Sequence, residues 1–434
     1  MRREFDIRPE MRDNRAVATD DAEGAGFPMT NRSPGTRWTH ALADFLGLRR
    51  NIVALLAMVV LVGMGEKMAE RFLPLYVLAL GGTTLIVGLL NGMDNLLSAL
   101  YSFPGGYLND RLGTKRALLL FNLLARAGVL IVILFPQWQA VLVGAVFFLS
   151  WTAISLPATM GMVSAVLPKN KRTMGVSMHS LVRRIPMALG PLLGGLIITR
   201  YGTRDGVRLA FVASLLLAGV ALVLQQRLIR EPEQEKKPAE PSPFRMLRLM
   251  SPSLRTLLVA DILVRFCEQI PYPYVVLWAI TLHKVTPLQF GILTTVEMVT
   301  AMLVYIPVAY LADRSHKKPF VLVTFGFFTL FPLVLLFSGS FWPMVLAFVI
   351  RGLKEFGEPT RKALIMDLAP EGRKAGMFGA YYLARDVLVS VAAFSGALFW
   401  NISPATNLLV AFGFGVLGTV WYALMGKDMG GAAV

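Results

Sequence analysis

The sequence of 434 residues holds a single cysteine, Cys267. That excludes an intramolecular disulfide framework and any cysteine-based zinc site. Its four histidines, His40, His179, His283 and His316, are scattered and form no metal-ligand cluster. The catalytic patterns G-x-S-x-G and H-E-x-x-H are missing, as is the phosphate loop G-x-x-x-x-G-K-[ST]. An enzyme, a metal site, a cofactor and ATP-driven transport by this chain are therefore not expected. Charge is scarce too, at 16% of residues against about 25% in ordinary soluble domains. No apolar run precedes Ile52, where a cleaved signal peptide would need its core. Residues 1–50 are polar and of mixed sign, which predicts a disordered cytoplasmic tail.

What is present is apolar: 55% of the residues, with a mean hydropathy of +0.58. A chain of that composition and length is a multi-pass membrane protein with the lipid bilayer as its partner. Twelve apolar stretches predict spans at 52–79, 83–105, 116–135, 139–167, 173–199, 207–226, 255–282, 287–312, 319–338, 341–369, 375–400 and 404–426. None alternates every second residue as barrel strands do, so the fold class is all-α. Prolines inside many spans, including Pro74, Pro186, Pro191, Pro271, Pro273, Pro307 and Pro359, suit helices that bend. The loops after spans 2, 4, 6, 8 and 10 hold eighteen lysines and arginines, whereas the opposite loops hold four, Arg200, Arg204, Arg208 and Lys284. This bias places both termini in the cytoplasm of a cell (inner or plasma) membrane and explains the net charge of +16 without nucleic acid.

The polar segment 227–254 divides the chain into residues 51–226 and 255–426, followed by a tail at 427–434. The two halves repeat one another. Tyr107-Leu-Asn-Asp-Arg111 recurs as Tyr310-Leu-Ala-Asp-Arg314 at an offset of 203, which also carries Asp94 onto Glu297. An offset of 202 carries Glu66 onto Glu268 and Arg183 onto Arg385. Parallel repeats of this kind are a transporter architecture.

The loop Gly106-Tyr-Leu-Asn-Asp-Arg-Leu-Gly-Thr-Lys-Arg-Ala-Leu118 resembles the signature between the second and third helices of the major facilitator superfamily. Thr114 departs from it, standing where a basic residue is common. The resemblance covers residues 50–426. It implies two pseudo-symmetric six-helix bundles, a monomer that moves a small-molecule substrate by alternating access, and no cofactor. It also implies a latch at Gly106, Asp110, Arg111 and Gly113 with its second copy at Asp313 and Arg314. Arg183, Arg385 and Asp386 are further gating candidates. In span 5, Gly190-Pro191-Leu-Leu-Gly194-Gly195 is similar to a motif of proton-linked drug exporters in that superfamily, while small residues that permit close helix packing explain it equally. Span 4 lacks the arginine many such exporters carry. Gly413-Phe-Gly-Val-Leu-Gly418 matches a dinucleotide pattern, but it lies inside an apolar span with no strand before it and reads as packing glycine.

Ionisable groups within spans carry the functional signal. They are Glu66, Lys67, Glu70 and Arg71 in span 1, Asp94 in span 2, Arg126 in span 3, and Arg183 and Arg184 in span 5. The second half adds Asp261, Arg265, Glu268, Glu297, Arg351, Lys354, Glu355, Glu358, Arg385 and Asp386. At about 2.5 to 3.5 kcal/mol for each central charge, lipid exposure of this set would cost tens of kcal/mol, so they face protein or water. Substrate or proton candidates are Glu66, Glu70, Asp94, Arg126, Arg265, Glu268, Glu297, Arg351, Glu355 and Glu358. The competing expectation is structural pairing, with Arg351–Glu355 and Lys354–Glu358 neutralising one another at i,i+4. The set is balanced in sign and announces neither an anionic nor a cationic substrate. Glu66 and Glu268, matched by the repeat, are the expected proton carriers. The function expected is proton-linked export of a small organic or amphiphilic solute. Proton-coupled uptake of a polar metabolite and a non-transporting sensor are the alternatives.

Overall fold

The computed structural model describes residues 50–149, 172–228, 243–312, 316–370 and 373–427, with no strand among them. Span 1 consists of α1 (Arg50–Glu70) and α2 (Leu73–Ala79). Spans 2 and 3 are α3 (Thr84–Leu112) and α4 (Thr114–Leu134), and α5 (Trp138–Phe148) is the described part of span 4. Spans 5 and 6 are α6 (Arg172–Tyr201) and α7 (Thr203–Leu228). A short helix, α8 (Pro243–Arg248), precedes α9 (Pro252–Gln269), which begins span 7. Spans 8 and 9 are α10 (Pro287–Ala312) and α11 (Lys317–Leu336). Span 10 comprises α12 (Phe341–Leu353) and α13 (Glu358–Asp367), and α14 (Lys374–Ile402) and α15 (Pro404–Met425) complete the fold. Among the described residues, seven segments in spans 3, 5, 6, 8, 9, 11 and 12 are long and apolar enough to cross a membrane.

Three spans expected to be continuous are broken. Span 1 turns at Arg71 and Phe72, ahead of Pro74. Span 10 leaves the helix between Leu353 and Glu358, where Gly357 passes so close to the Phe320 carbonyl that a Cβ would lie 2.3 Å from it. Beyond α9, span 7 runs through a 3-10 turn (Tyr272–Tyr274), a single α turn (Val275–Leu277) and a π turn (Trp278–Leu282). The offset of 202 sets Arg71 against Pro273, so the breaks in spans 1 and 7 fall at matching places in the repeat.

The cause in span 7 is chemical. Pro271 and Pro273 have no N–H to give, and Pro273 leaves the Gln269 carbonyl without its helical donor. Side chains from two other spans replace the missing donors. Asn91 Nδ2 in α3 donates to Gln269 O at 3.2 Å, and Asn407 Nδ2 in α15 donates to Ile270 O at 3.3 Å and Gly396 O at 2.7 Å. In hydrocarbon each unmet group would cost several kcal/mol.

The halves of the sequence meet along two glycine-lined crossings. On one, a Cβ at Gly195 would stand 2.3 Å from Pro287 O, and one at Gly291 2.5 Å from Pro191 O. On the other, a Cβ at Gly88 would stand 2.7 Å from Ala397 Cβ. Gly88 and Gly291 are again repeat equivalents, 203 residues apart. Hydrogen bonds follow the same seams: Leu288 N to Thr199 Oγ1 at 3.1 Å, Thr295 Oγ1 to Ala188 O at 2.8 Å, Tyr274 Oη to Thr84 O at 3.1 Å, and Thr84 to Asn401. Among the described residues, the hydrogen bonds joining the halves lie between the middle of the spans and the end that carries the short loops 80–83, 283–286 and 403.

The segment expected as a plain linker is partly helical. Met246 of α8 and Met250 after it are buried, Met246 beside Gly376 of α14. Residues 1–49, 229–242 and 428–434 lie outside the described part.

Candidate substrate cavity

The breaks in spans 1 and 7, together with the end of α12, line one cavity. Span 1 contributes Glu70, Arg71, Leu73 and Pro74, span 7 contributes Tyr272, Pro273, Val275 and Val276, and Arg351 comes from the end of α12. Leu90, Asn91 and Asp94 of α3, Leu149 and Phe290 complete the wall. A broken helix exposes backbone and displaces side chains where a continuous one would present a closed face, and matched breaks in two repeats mark transporter binding sites. A second cavity, lined by Glu66, Glu70, Arg126 and Ser214 among others, shares Glu70, Leu73 and Leu149 with the first. Arg126 Nη1 donates to Ser214 Oγ there at 3.2 Å.

In the first half, Lys67 bonds Glu70 and lies 3.7 Å from Glu66. Arg71 sits over the Tyr272 ring, 5.1 Å from its centroid, and Arg351 stands 5.5 Å from the same centroid. In the second half, the expected i,i+4 pairs of span 10 do not form. Arg351 turns to Glu297 at 3.2 Å, and Lys354 reaches Glu268 at 2.7 Å and Glu297 at 3.6 Å. Glu355 takes Arg184 across the halves at 2.8 Å. Glu358 takes Arg265 and, at 2.8 Å, Arg361. The unwinding of 354–357 explains the exchange, because an i,i+4 pair needs an unbroken turn between its members. Glu268 is thus held by Lys354 on one carboxylate oxygen and by Arg265 at 2.6 Å on the other.

Arg361, absent from the sequence-based candidates, is the hub of this network. It is 1% exposed and binds Asp261, Glu358 and the Tyr382 hydroxyl. Asp261, also 1% exposed, accepts from Tyr381 Oη at 3.0 Å and lies 3.6 Å from Arg385, which pairs with Asp386 at 2.6 Å. Arg361 falls three residues beyond Glu358 on the same helical face, and that spacing is the signal that identifies it. Arg71, named among the ionisable groups of span 1 but not among the substrate candidates, lines the cavity itself.

The latch residues are only partly described. Gly113 links α3 to α4 with φ +82°, a left-handed backbone that explains glycine there. Lys115 of the same loop donates to Gln226 O at the end of α7 at 2.8 Å. The surroundings of Gly106, Asp110 and Arg111 lie outside the described side chains, and Asp313 and Arg314 lie outside the described residues. The exporter-like motif of span 5 is packed from two sides: a Cβ at Gly190 would stand 2.7 Å from Lys67 Cβ, and one at Gly194 2.0 Å from Met68 O, while Gly195 meets span 8. Arg183 lies one residue from Arg184 at the middle of α6. Gly415 and Gly418 likewise press α15 against Cys267, Thr329 and Ala260.

The sequence profile described as Major Facilitator Superfamily matches residues 55–284 and 257–432. The chain belongs to that superfamily. Within it, the multidrug resistance protein MdtG of a Rahnella species is 30% identical over 168 residues, which is 37% of this chain and 40% of that protein. MdtG of Escherichia fergusonii is 30% identical over 187 residues, 40% of this chain and 45% of the relative. The chain thus matches less than half the length of these relatives. Its fold is shared with a POT family transporter solved with a thioalcohol-conjugated peptide, at TM-score 0.73 and 13% identity, covering 86% of this chain and 95% of that one. A bacterial homologue of the human lysosomal transporter Spinster, inward-facing and unoccupied, gives TM-score 0.68 at 12% identity, covering 86% and 96%. This superfamily member is a membrane-spanning transporter with the all-α architecture that twelve spans require.

Proposed function

We propose that this transporter exports a small organic or amphiphilic solute in exchange for protons, by rocking of residues 51–226 against 255–426. The observation that carries the reading is Asp94: it lines the central cavity, and among the described residues no cation lies within 4.0 Å of its carboxylate. Asp94 can exchange a proton without first breaking an ion pair, whereas Glu268 would have to leave both Lys354 and Arg265. We therefore place proton carriage on Asp94 in preference to Glu268, which the repeat pairs with Glu66. The span 5 motif and the likeness to MdtG, a multidrug resistance protein, support outward movement. The seams between the halves gather at the end of the short, weakly basic loops. With the basic loops cytoplasmic, that arrangement is closed outside and open inside.

Reconstituted in liposomes with an imposed pH gradient, the wild type is expected to drive accumulation of fluorescent amphiphiles against their own gradient. Asp94→Asn should abolish driven accumulation and keep solute exchange, because exchange moves no net proton. Wild-type accumulation in Asp94→Asn would remove Asp94 from the coupling step.

A further inference from the structure

Four charged side chains line the central cavity: Glu70, Arg71, Asp94 and Arg351. Two are neutralised at short range, Glu70 by Lys67 and Arg351 by Glu297. Arg71 and Asp94 are different. Among the described residues, neither has an opposite charge within 4.0 Å, and they do not pair with one another. They stand on separate spans, Arg71 at the break of span 1 and Asp94 in α3, with mainly apolar wall around them. Arg71 is set over the Tyr272 ring, which orients its guanidinium plane.

Two unlike charges without a short-range partner, in a cavity whose other charges are paired, define their complement. We propose that the cavity takes a zwitterionic amphiphile, its acidic group on Arg71, its basic group beside Asp94 and an aromatic or apolar body against Tyr272. This rests on the transport reading of the cavity and names the substrate class within it. A guanidinium offers two parallel donors that match a carboxylate or a phosphate-type group. A solute that is only cationic would leave Arg71 unmet and face its repulsion. One that is only anionic would leave Asp94 unmet, and an unpaired charge in a desolvated site is expensive. The zwitterion meets both and adds no net charge. Protonation of Asp94 then removes the partner of the basic group, so proton entry favours solute release.

The test is equilibrium binding to the purified full-length protein in lipid nanodiscs, read by calorimetry and by thermal shift. The probes are phenylalanine, 4-(aminomethyl)benzoate and 4'-(aminomethyl)biphenyl-4-carboxylate, which set the two charges at three separations. Each is compared with its carboxamide and with its N-acetyl form. At least one zwitterion should bind roughly tenfold or more tightly than both of its capped forms. Arg71→Gln should erase the preference over the carboxamide and keep the preference over the N-acetyl form. Asp94→Asn should do the reverse. Arg71→Lys, which keeps the charge without the planar fork, should retain a reduced preference for the acid, and its unliganded melting temperature separates lost recognition from lost folding. The proposal is overturned if no zwitterion outbinds its capped forms, or if both Arg71 variants keep the full wild-type preference for the acid. Binding is read without a gradient, so failure of proton coupling leaves this result untouched, and failure of the binding series leaves driven flux untouched.

Discussion

Arg361 shows why a buried charge in this protein is best read through its partners. Its guanidinium serves Asp261 on α9, Glu358 on its own helix and Tyr382 on α14, so three elements converge on one side chain. Replacing it by leucine would strand Asp261 and Glu358, both nearly inaccessible, with fewer cations to share. Breaking a buried pair by removing one member costs about 3–5 kcal/mol. Arg361→Leu should therefore lower the melting temperature sharply in a fluorescence-monitored unfolding assay. Arg361→Lys should recover little of the loss, because a point ammonium does not reproduce the two-directional fork. A wild-type melt for Arg361→Leu would show that the network is not structural. The network is also close to neutral in itself: Asp261, Glu268, Glu297, Glu358 and Asp386 stand against Arg265, Arg351, Lys354, Arg361 and Arg385. That balance distinguishes it from the cavity, where Arg71 and Asp94 are left over.

At the scale of elements, the interrupted spans are stable only because distant side chains complete their backbone bonding. Asn407 is fully buried and its amide holds two carbonyls, Ile270 O and Gly396 O. Asn407→Leu should cost about 1–3 kcal/mol for the Ile270 carbonyl it leaves without a donor, visible as a lower melting temperature. Asn91→Leu removes the donor to Gln269 from the opposite half, so its effect should fall on transport as well as on stability. Equal melting of wild type and Asn407→Leu would argue that water takes over the carbonyls. The spans themselves were legible from hydropathy, since twelve apolar stretches of sufficient length leave few alternatives. Their breaks were legible only in part. Pro271 and Pro273 announce the one in span 7, but the break at Arg71–Phe72 precedes Pro74 and follows the charged stretch Glu66–Arg71, which by itself marks no helix end. The unwinding of 354–357 depends on Gly357 approaching Phe320 on another span, a tertiary contact that no local pattern encodes. For the same reason the charged stripes were legible as a set, while the pairing within them was not: i,i+4 spacing points inward along one helix, and the partners came from four.

For the molecule as a whole, the two glycine seams control the balance between access states. Alanine at Gly195 would bring its methyl within 2.3 Å of Pro287 O, a contact that has to be relieved by separating α6 from α10. Gly195→Ala should shift the population away from the closed seam, since a substitution that penalises one state favours the other. Cysteines at Thr84 and Asn401, hydrogen-bonded across the second seam, provide the measure. Their crosslinking should fall in the Gly195→Ala background, with Cys267 left in place because it is buried. Unchanged crosslinking would mean that the seams open independently rather than as one rocking motion.

The buried network also bears on how the chain is made. Asp261 enters the bilayer with α9, yet Arg361 is synthesised 100 residues later and Tyr381 120 residues later. Among the described residues, neither span 7 nor span 10 offers an unbroken helix that is both long and apolar enough to cross. While the ribosome is still working toward α14, span 7 has Arg265 as a counter-ion on its own helix but not those that finally surround it. The second half therefore reaches its resting arrangement late, after span 11 has emerged. Until then its charged helices depend on the insertion machinery, or on a transient position near the lipid headgroups, to shelter them from hydrocarbon.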